Sequence, residues 1–134
     1  MPSASNVILA IHRFNTSIAK RMDAHLSVHG ISYSEFQVLS HLAASPQESL
    51  PRIELARLVG LSASGVTRML APMEKIGLVQ KESNPRDARM SLVKLSSAGA
   101  AIHEDAAVTV EHVSAGFLEG LTAAQQKALT SLPQ

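Results

Sequence analysis

Three observations predict a mainly α-helical fold with one small two-stranded β element. Apolar residues recur every three or four positions along most of the chain. That period shortens toward two only between Leu78 and Leu95, and Ser or Thr at cap positions alternates with Gly at stop positions along the helical stretches. At 134 residues the chain is about one domain, long enough to bury a core without disulfides or metal staples.

The elements follow in order. Val7, Ile11, Phe14, Ile18, Met22 and Leu26 form the apolar stripe of a long first helix that runs to about His29 and stops at Gly30. Ser32 with Glu35 three positions on is a capping-box pattern for a second helix burying Phe36, Leu39 and Leu42. Pro51 suits the first turn of a third helix carrying Ile53, Ala56 and Leu58 before Gly60. Ser62 caps a fourth, with Val66, Met69, Leu70, Met73 and Ile76 facing the core and Gly77 as its stop. Two short helices separated by Val59, Gly60 and Leu61 form a helix-turn-helix pattern.

Beyond Gly77, Leu78 and Val79 open one short strand, and Met90 with Leu92 to Leu95 gives a second. The loop SNPRDA joins them. Ser96 then caps a long helix with Ile102, Ala106, Val110, Val113 and Phe117 along one side, and Thr122 with Gln125 repeats the capping box for a last helix bearing Leu129 and Leu132. The pattern reads as a winged helix-turn-helix core flanked by helices at both ends.

Composition removes several function classes. The chain has no cysteine, which excludes disulfides, thiolate metal sites, cysteine nucleophiles and thiol-based redox sensing. There is no glycine-rich phosphate loop, no nucleophile elbow and no HExxH, and Glu104 with Asp105 reads as a solvated patch, so no enzyme and no cofactor are expected. Phe14, Tyr33, Phe36 and Phe117 are the aromatics, and three of them belong to helical core patterns rather than to a platform for stacking single-stranded bases. The N-terminal stretch has no basic region of the kind that opens a signal peptide, and no apolar run approaches the roughly 18 residues of a membrane span. A cytoplasmic protein is expected.

Charge is segregated along the chain. Residues 1–49 balance to zero and residues 96–134 carry net −3, whereas residues 50–95 hold eight basic against four acidic side chains, net +4. A basic middle between a neutral and an acidic end points to a localised polyanion-binding surface. In the fourth helix Ser64, Thr67, Arg68 and Ala71 fall opposite the apolar stripe. Small side chains there let the backbone approach base edges, hydroxyls bond bases or phosphates, and Arg68 has the fork that pairs with guanine. In the loop, Asp87 two residues before Arg89 is placed to hold that guanidinium in one orientation, so that Arg89 enters a minor groove while Arg86 and Lys81 meet phosphate. Arg52 and Ser62, at the starts of the third and fourth helices, complete the candidate DNA contacts.

The run LARLVGLSASGVTRMLAPMEKIGLVQKESNPRDARMSLVKLSSAG resembles the DNA-binding core of the MarR family of bacterial transcription regulators, and the flanking helices match that family's order. The most specific part is Asp87 and Arg89 followed by Val93, Leu95, Ser96 and Gly99, after Gly77, Leu78 and Val79. The resemblance implies one domain over residues 1–134, with dimerisation helices at 1–30 and 96–134 and a DNA-binding lobe at 31–95. It further implies a homodimer on a pseudo-palindromic duplex, with the fourth helix in the major groove and the wing in the neighbouring minor groove. Repression, and release by a small-molecule effector bound where the dimer helices meet the lobe, are implied in the same way. Two departures stand out. Lys81 occupies a position where arginine is common, and Pro72 falls inside the fourth helix, where its ring crowds the Arg68 carbonyl.

Two other functions fit the same elements. His25 and His29, four apart on the first helix, could share a metal with His41, His103, Glu104 or His112, making a metal-responsive regulator; helix C-terminus stabilisation by His29 is the simpler reading, and no metal is expected. A winged-helix protein-interaction module would lack salt-sensitive DNA binding, which the charge segregation favours.

Overall fold

A computed structural model describes residues 2–87 and 89–133; Ala88 of the SNPRDA loop lies outside them. Helix α1 spans Ala4–Leu26 and begins where the Ser3 hydroxyl accepts the Asn6 amide at 3.2 Å. A tighter turn, Ser27–His29, replaces its expected last turn before Gly30 leaves with φ 74°. Helix α2, Tyr33–Ala43, forms the full capping box: the Ser32 amide donates to Glu35 Oε1 at 2.8 Å and the Glu35 amide to Ser32 Oγ at 3.1 Å.

Strand β1, Ser49–Pro51, leads into α3, Arg52–Val59, and α4 covers Ala63–Lys75. Strands β2, Val79–Ser83, and β3, Ser91–Leu95, follow, then α5, Ser97–Leu118, and α6, Ala123–Thr130. The sheet is antiparallel in the order β1, β3, β2, with Leu50 opposite Val93 and Val79 opposite Leu95. The wing is therefore three-stranded, not two-stranded. Three residues ending in proline are too few to show alternation, so β1 exists because β3 offers it a pairing edge. Pro51 is consequently the last residue of β1 and the cap of α3, not a first-turn residue.

The core lies in the lobe. Leu26, Leu39, Leu42, Leu55, Leu70, Met73 and Val93 are fully buried, and α5 adds Ala106 and Val113. Leu55, rather than Ile53 or Leu58, anchors α3, and those two are exposed along with Ile76, which caps α4 after the helix has begun to turn away. Met90 is exposed and lies outside β3. Helix α4 continues through Pro72, which is exposed, so water can reach the Arg68 carbonyl that the proline leaves without its helical donor.

The ends of the chain differ from the lobe. Val7, Ile8, Leu9, Ile11 and Phe14 on α1 are exposed, as are Leu118 after the buried part of α5 and Leu129 and Leu132 at α6. Among the described residues no helix is long and apolar enough to cross a membrane.

Candidate nucleic-acid interface

The turn between α3 and α4 is set by Gly60, at φ 72°, and the Leu61 amide donates back to the Ala56 carbonyl at 2.9 Å, the doubled bond pattern of a helix ended by a left-handed glycine. Ser62 then starts α4, its hydroxyl accepting the Gly65 amide at 3.1 Å. With Val66, Leu70 and Met73 turned inward, Ser64, Thr67, Arg68 and Ala71 lie exposed on the opposite side. Thr67 Oγ1 donates to the Ala63 carbonyl at 3.0 Å, which leaves its lone pairs as its free capacity toward a ligand. Arg68 makes no ion pair among the described residues.

The wing loop is knitted by two short side-chain turns. The Arg86 amide donates to Asn84 Oδ1 at 2.9 Å, and the Arg89 amide donates to Asp87 Oδ1 at 3.0 Å. The same carboxylate oxygen accepts Arg89 Nε at 3.2 Å. Since the Arg89 side chain is 91% exposed, this contact supplies little stability and acts mainly on orientation: it holds Nε and leaves the terminal nitrogens of the fork without a hydrogen bond among the described residues.

Wing and helix share one cleft. Thr67 and Val66 of α4, Arg52 and Ile53 of α3, and Arg89 and Met90 of the wing line a cavity of about 400 Å³. Ile53, 72% exposed, contributes an apolar wall. Neither its place nor that of Met90 was legible from periodicity, which assigned both to packing.

Pairing redistributes the basic charge. Arg52 Nη2 donates to Glu74 Oε1 at 2.9 Å, with side chains 20% and 31% exposed, so Arg52 ties α3 to α4. Arg57 bonds Glu54 one turn earlier, and its guanidinium holds the Glu54 carboxyl below the usual range while Glu54 raises Arg57. With Asp87 on Arg89, three of the four acids in residues 50–95 are matched. The excess positive charge therefore resides on Arg68, Lys75, Lys81, Arg86 and Lys94, for which no ion pair exists among the described residues. Lys81 lies exposed on β2, an edge strand, and Arg86 is exposed at the loop tip.

The histidines are spread out. His29 Nε2 meets Thr109 Oγ1 at 2.7 Å, and His103 Nε2 meets Ser40 Oγ at 3.0 Å with its ring stacked on Phe36. His25 and His112 line a groove between α1 and α5. Among the described residues no group of three His, Cys, Asp or Glu is arranged to hold a metal ion.

Comparison with known proteins agrees with this geometry. The model of the MarR family matches residues 29–90. The multiple antibiotic resistance protein MarR of Escherichia coli K12 is 32% identical over 94 residues, 70% of this chain and 64% of that protein, so the match spans just under two thirds of the relative's length. Among solved structures, a mutant of E. coli MarR complexed with operator DNA superposes with a TM-score of 0.83 at 28% identity, covering 96% of this chain and 94% of that one. Sco3205, a MarR family transcriptional regulator from Streptomyces coelicolor in complex with DNA, gives 0.86 at 25% identity, covering 97% and 84%.

Proposed function

We propose that the chain is a member of the MarR family and a homodimeric, sequence-specific double-stranded DNA-binding transcription regulator, a repressor released from a pseudo-palindromic operator by a small-molecule ligand. The observation that carries this reading is the cleft that brings Thr67 of α4 and the Asp87-braced Arg89 of the wing to one opening, in a segment with five basic side chains that form no ion pair among the described residues. A helix face of small residues with one arginine suits the major groove, and an extended wing arginine suits the adjacent minor groove. Two solved relatives of this fold hold DNA.

In this reading Arg68 reads a base edge, and Ser62, Ser64 and Thr67 offer hydroxyls to bases or phosphates. Arg89 enters the minor groove. Arg86 and Lys81 meet phosphates, and Arg52, with only Nη2 engaged by Glu74, keeps its other donors for a phosphate at the cleft. Residues 31–95 form the DNA-binding lobe. Residues 1–30 and 96–134 pair with a second copy, which covers the exposed apolar residues of α1, α5 and α6. The protein acts on DNA in the bacterial cytoplasm and needs no cofactor for this.

Selection of bound duplexes from a random pool tests the proposal. The expected product is an inverted pair of half-sites with centres about one helical turn, roughly 10 base pairs, apart. Recovery of unrelated sequences at the same frequency as in the starting pool would overturn it. A ligand screen on the selected duplex then looks for release.

A further inference from the structure

The Gly77-Leu78-Val79 and Ser96 to Gly99 segments are far apart in sequence and meet where the recognition helix ends and the long C-terminal helix begins. Helix α4 closes on Gly77, at φ 81°, with the Gly77 amide donating to the Glu74 carbonyl at 3.1 Å and the Leu78 amide donating to the Met73 carbonyl at 2.9 Å. Leu78 is thus bonded to the body of α4. Its own carbonyl then accepts from α5's cap residue twice, from the Ser96 amide at 3.1 Å and from Ser96 Oγ at 2.9 Å. The one Ser96 hydroxyl proton is shared between that carbonyl and the Gly77 carbonyl, 2.5 Å from Oγ, and Oγ accepts the Gly99 amide at 3.0 Å, which starts α5.

One buried hydroxyl therefore holds the C-terminal cap of α4 and the N-terminal cap of α5 together. The contact is too close to slide. A Cβ on Gly99 would sit 2.1 Å from the Leu78 carbonyl oxygen and 2.9 Å from Leu95 Cδ1, so the first turn of α5 rests directly on the backbone that ends α4. A rotation of α5 is passed to Leu78 by the Ser96 amide and to Gly77 and Leu78 by the short Ser96 hydroxyl, and Leu78 is joined to α4 by its own backbone amide.

We infer that Ser96 is a positioning residue for DNA reading: through Gly77 and Leu78 it couples the orientation of α5 to the aim of α4, and so sets the distance between the two recognition helices of a dimer. The inference rests on the dimeric DNA-binding reading above. A capping serine alone would stabilise α5 and have no bearing on half-site spacing.

The test is the affinity of the full chain for duplexes carrying two selected half-sites at centre separations from about 8 to 13 base pairs, around the single helical turn expected. Wild type is expected to show a sharp optimum. Ser96→Ala, at a temperature where its mass and helical content equal wild type's, should lose roughly 3- to 30-fold at that optimum and less than about 2-fold at the other separations, flattening the profile. Ser96→Thr, which keeps both donor and acceptor, should retain the peak. A Ser96→Ala profile that keeps its shape, whether lowered uniformly or unchanged, would overturn the inference and leave only a structural cap. No optimum in wild type would instead overturn the dimeric reading itself. Hydrogen exchange of the unaltered chain checks the same link without a variant. On operator binding the amides of Leu78 and Gly99 should slow together, and slowing confined to Leu78 would count against the coupling.

Discussion

Helices α4 and α1 carry the same kind of apolar stripe and meet opposite fates. In α4, Val66, Leu70 and Met73 are fully buried in the lobe. In α1 only Met22 and Leu26, near its end, are buried, while Val7, Ile11 and Phe14 on the same stripe remain exposed in the single chain. Periodicity reports that an apolar face exists and which way it points around a helix. It does not report what covers that face, which for α4 is its own lobe and for α1, in the proposed assembly, is a second copy.

Substitutions on the two helices sharpen the contrast. Leu70→Ala should cost about 2 to 5 kcal/mol of unfolding free energy at any protein concentration, read by chemical denaturation, because it empties a fully buried site. Ile11→Asp should leave the lobe's fold intact by circular dichroism and shift the sedimenting species from two chains to one, with operator affinity lost accordingly. If Ile11→Asp still sediments as a dimer, the exposed half of α1 is not the interface.

Smaller effects separate helix from wing. Arg68→Ala should cost about 1 to 3 kcal/mol on the selected operator and much less on unrelated duplex, since a base-reading arginine contributes discrimination. Arg89→Ala should weaken both and lower the salt slope by about one phosphate equivalent. Asp87→Ala leaves the charge and releases the fork, so it should cost less than Arg89→Ala and add little to it in the double variant. Simple additivity by competition binding would show that Asp87 does not act through Arg89.

The smallest effect is expected at Glu54 and Arg57. Arg57 lowers the Glu54 carboxyl, so the pair's contribution is present above the ordinary glutamate range and lost as pH falls through the lowered value. Both groups are solvated, so Glu54→Gln should leave the thermal midpoint unchanged between about pH 5 and 8. A midpoint that falls in that window would mean the pair is screened less than its exposure implies.

What could be read in advance was local. The capping boxes at Ser32 with Glu35 and Thr122 with Gln125 form as expected, and Gly30, Gly60 and Gly77 all take left-handed conformations where the helices stop. Asp87 bonds Arg89, two residues away. What escaped was long-range. The pairing of Arg52 with Glu74 spans 22 positions, and β1 exists only through β3. Ile53 has the apolarity of a core residue, yet it faces the cleft because Leu55, two positions on, takes the inward direction. The contact of Gly99 with Leu78 was not legible either: Ser96 and Gly99 marked a helix start and a family resemblance, and neither signal says which backbone the glycine rests on.

Joint reading of duplex DNA by α4 and the wing can be measured by titrating the chain against a selected operator and an unrelated duplex of equal length from about 50 to 200 mM salt. Both affinities should fall with salt, and the operator should stay about 10³-fold or more tighter throughout, because phosphate contacts are shared and base contacts are not. Equal affinity for the two duplexes, or binding that does not respond to salt, would contradict that joint reading.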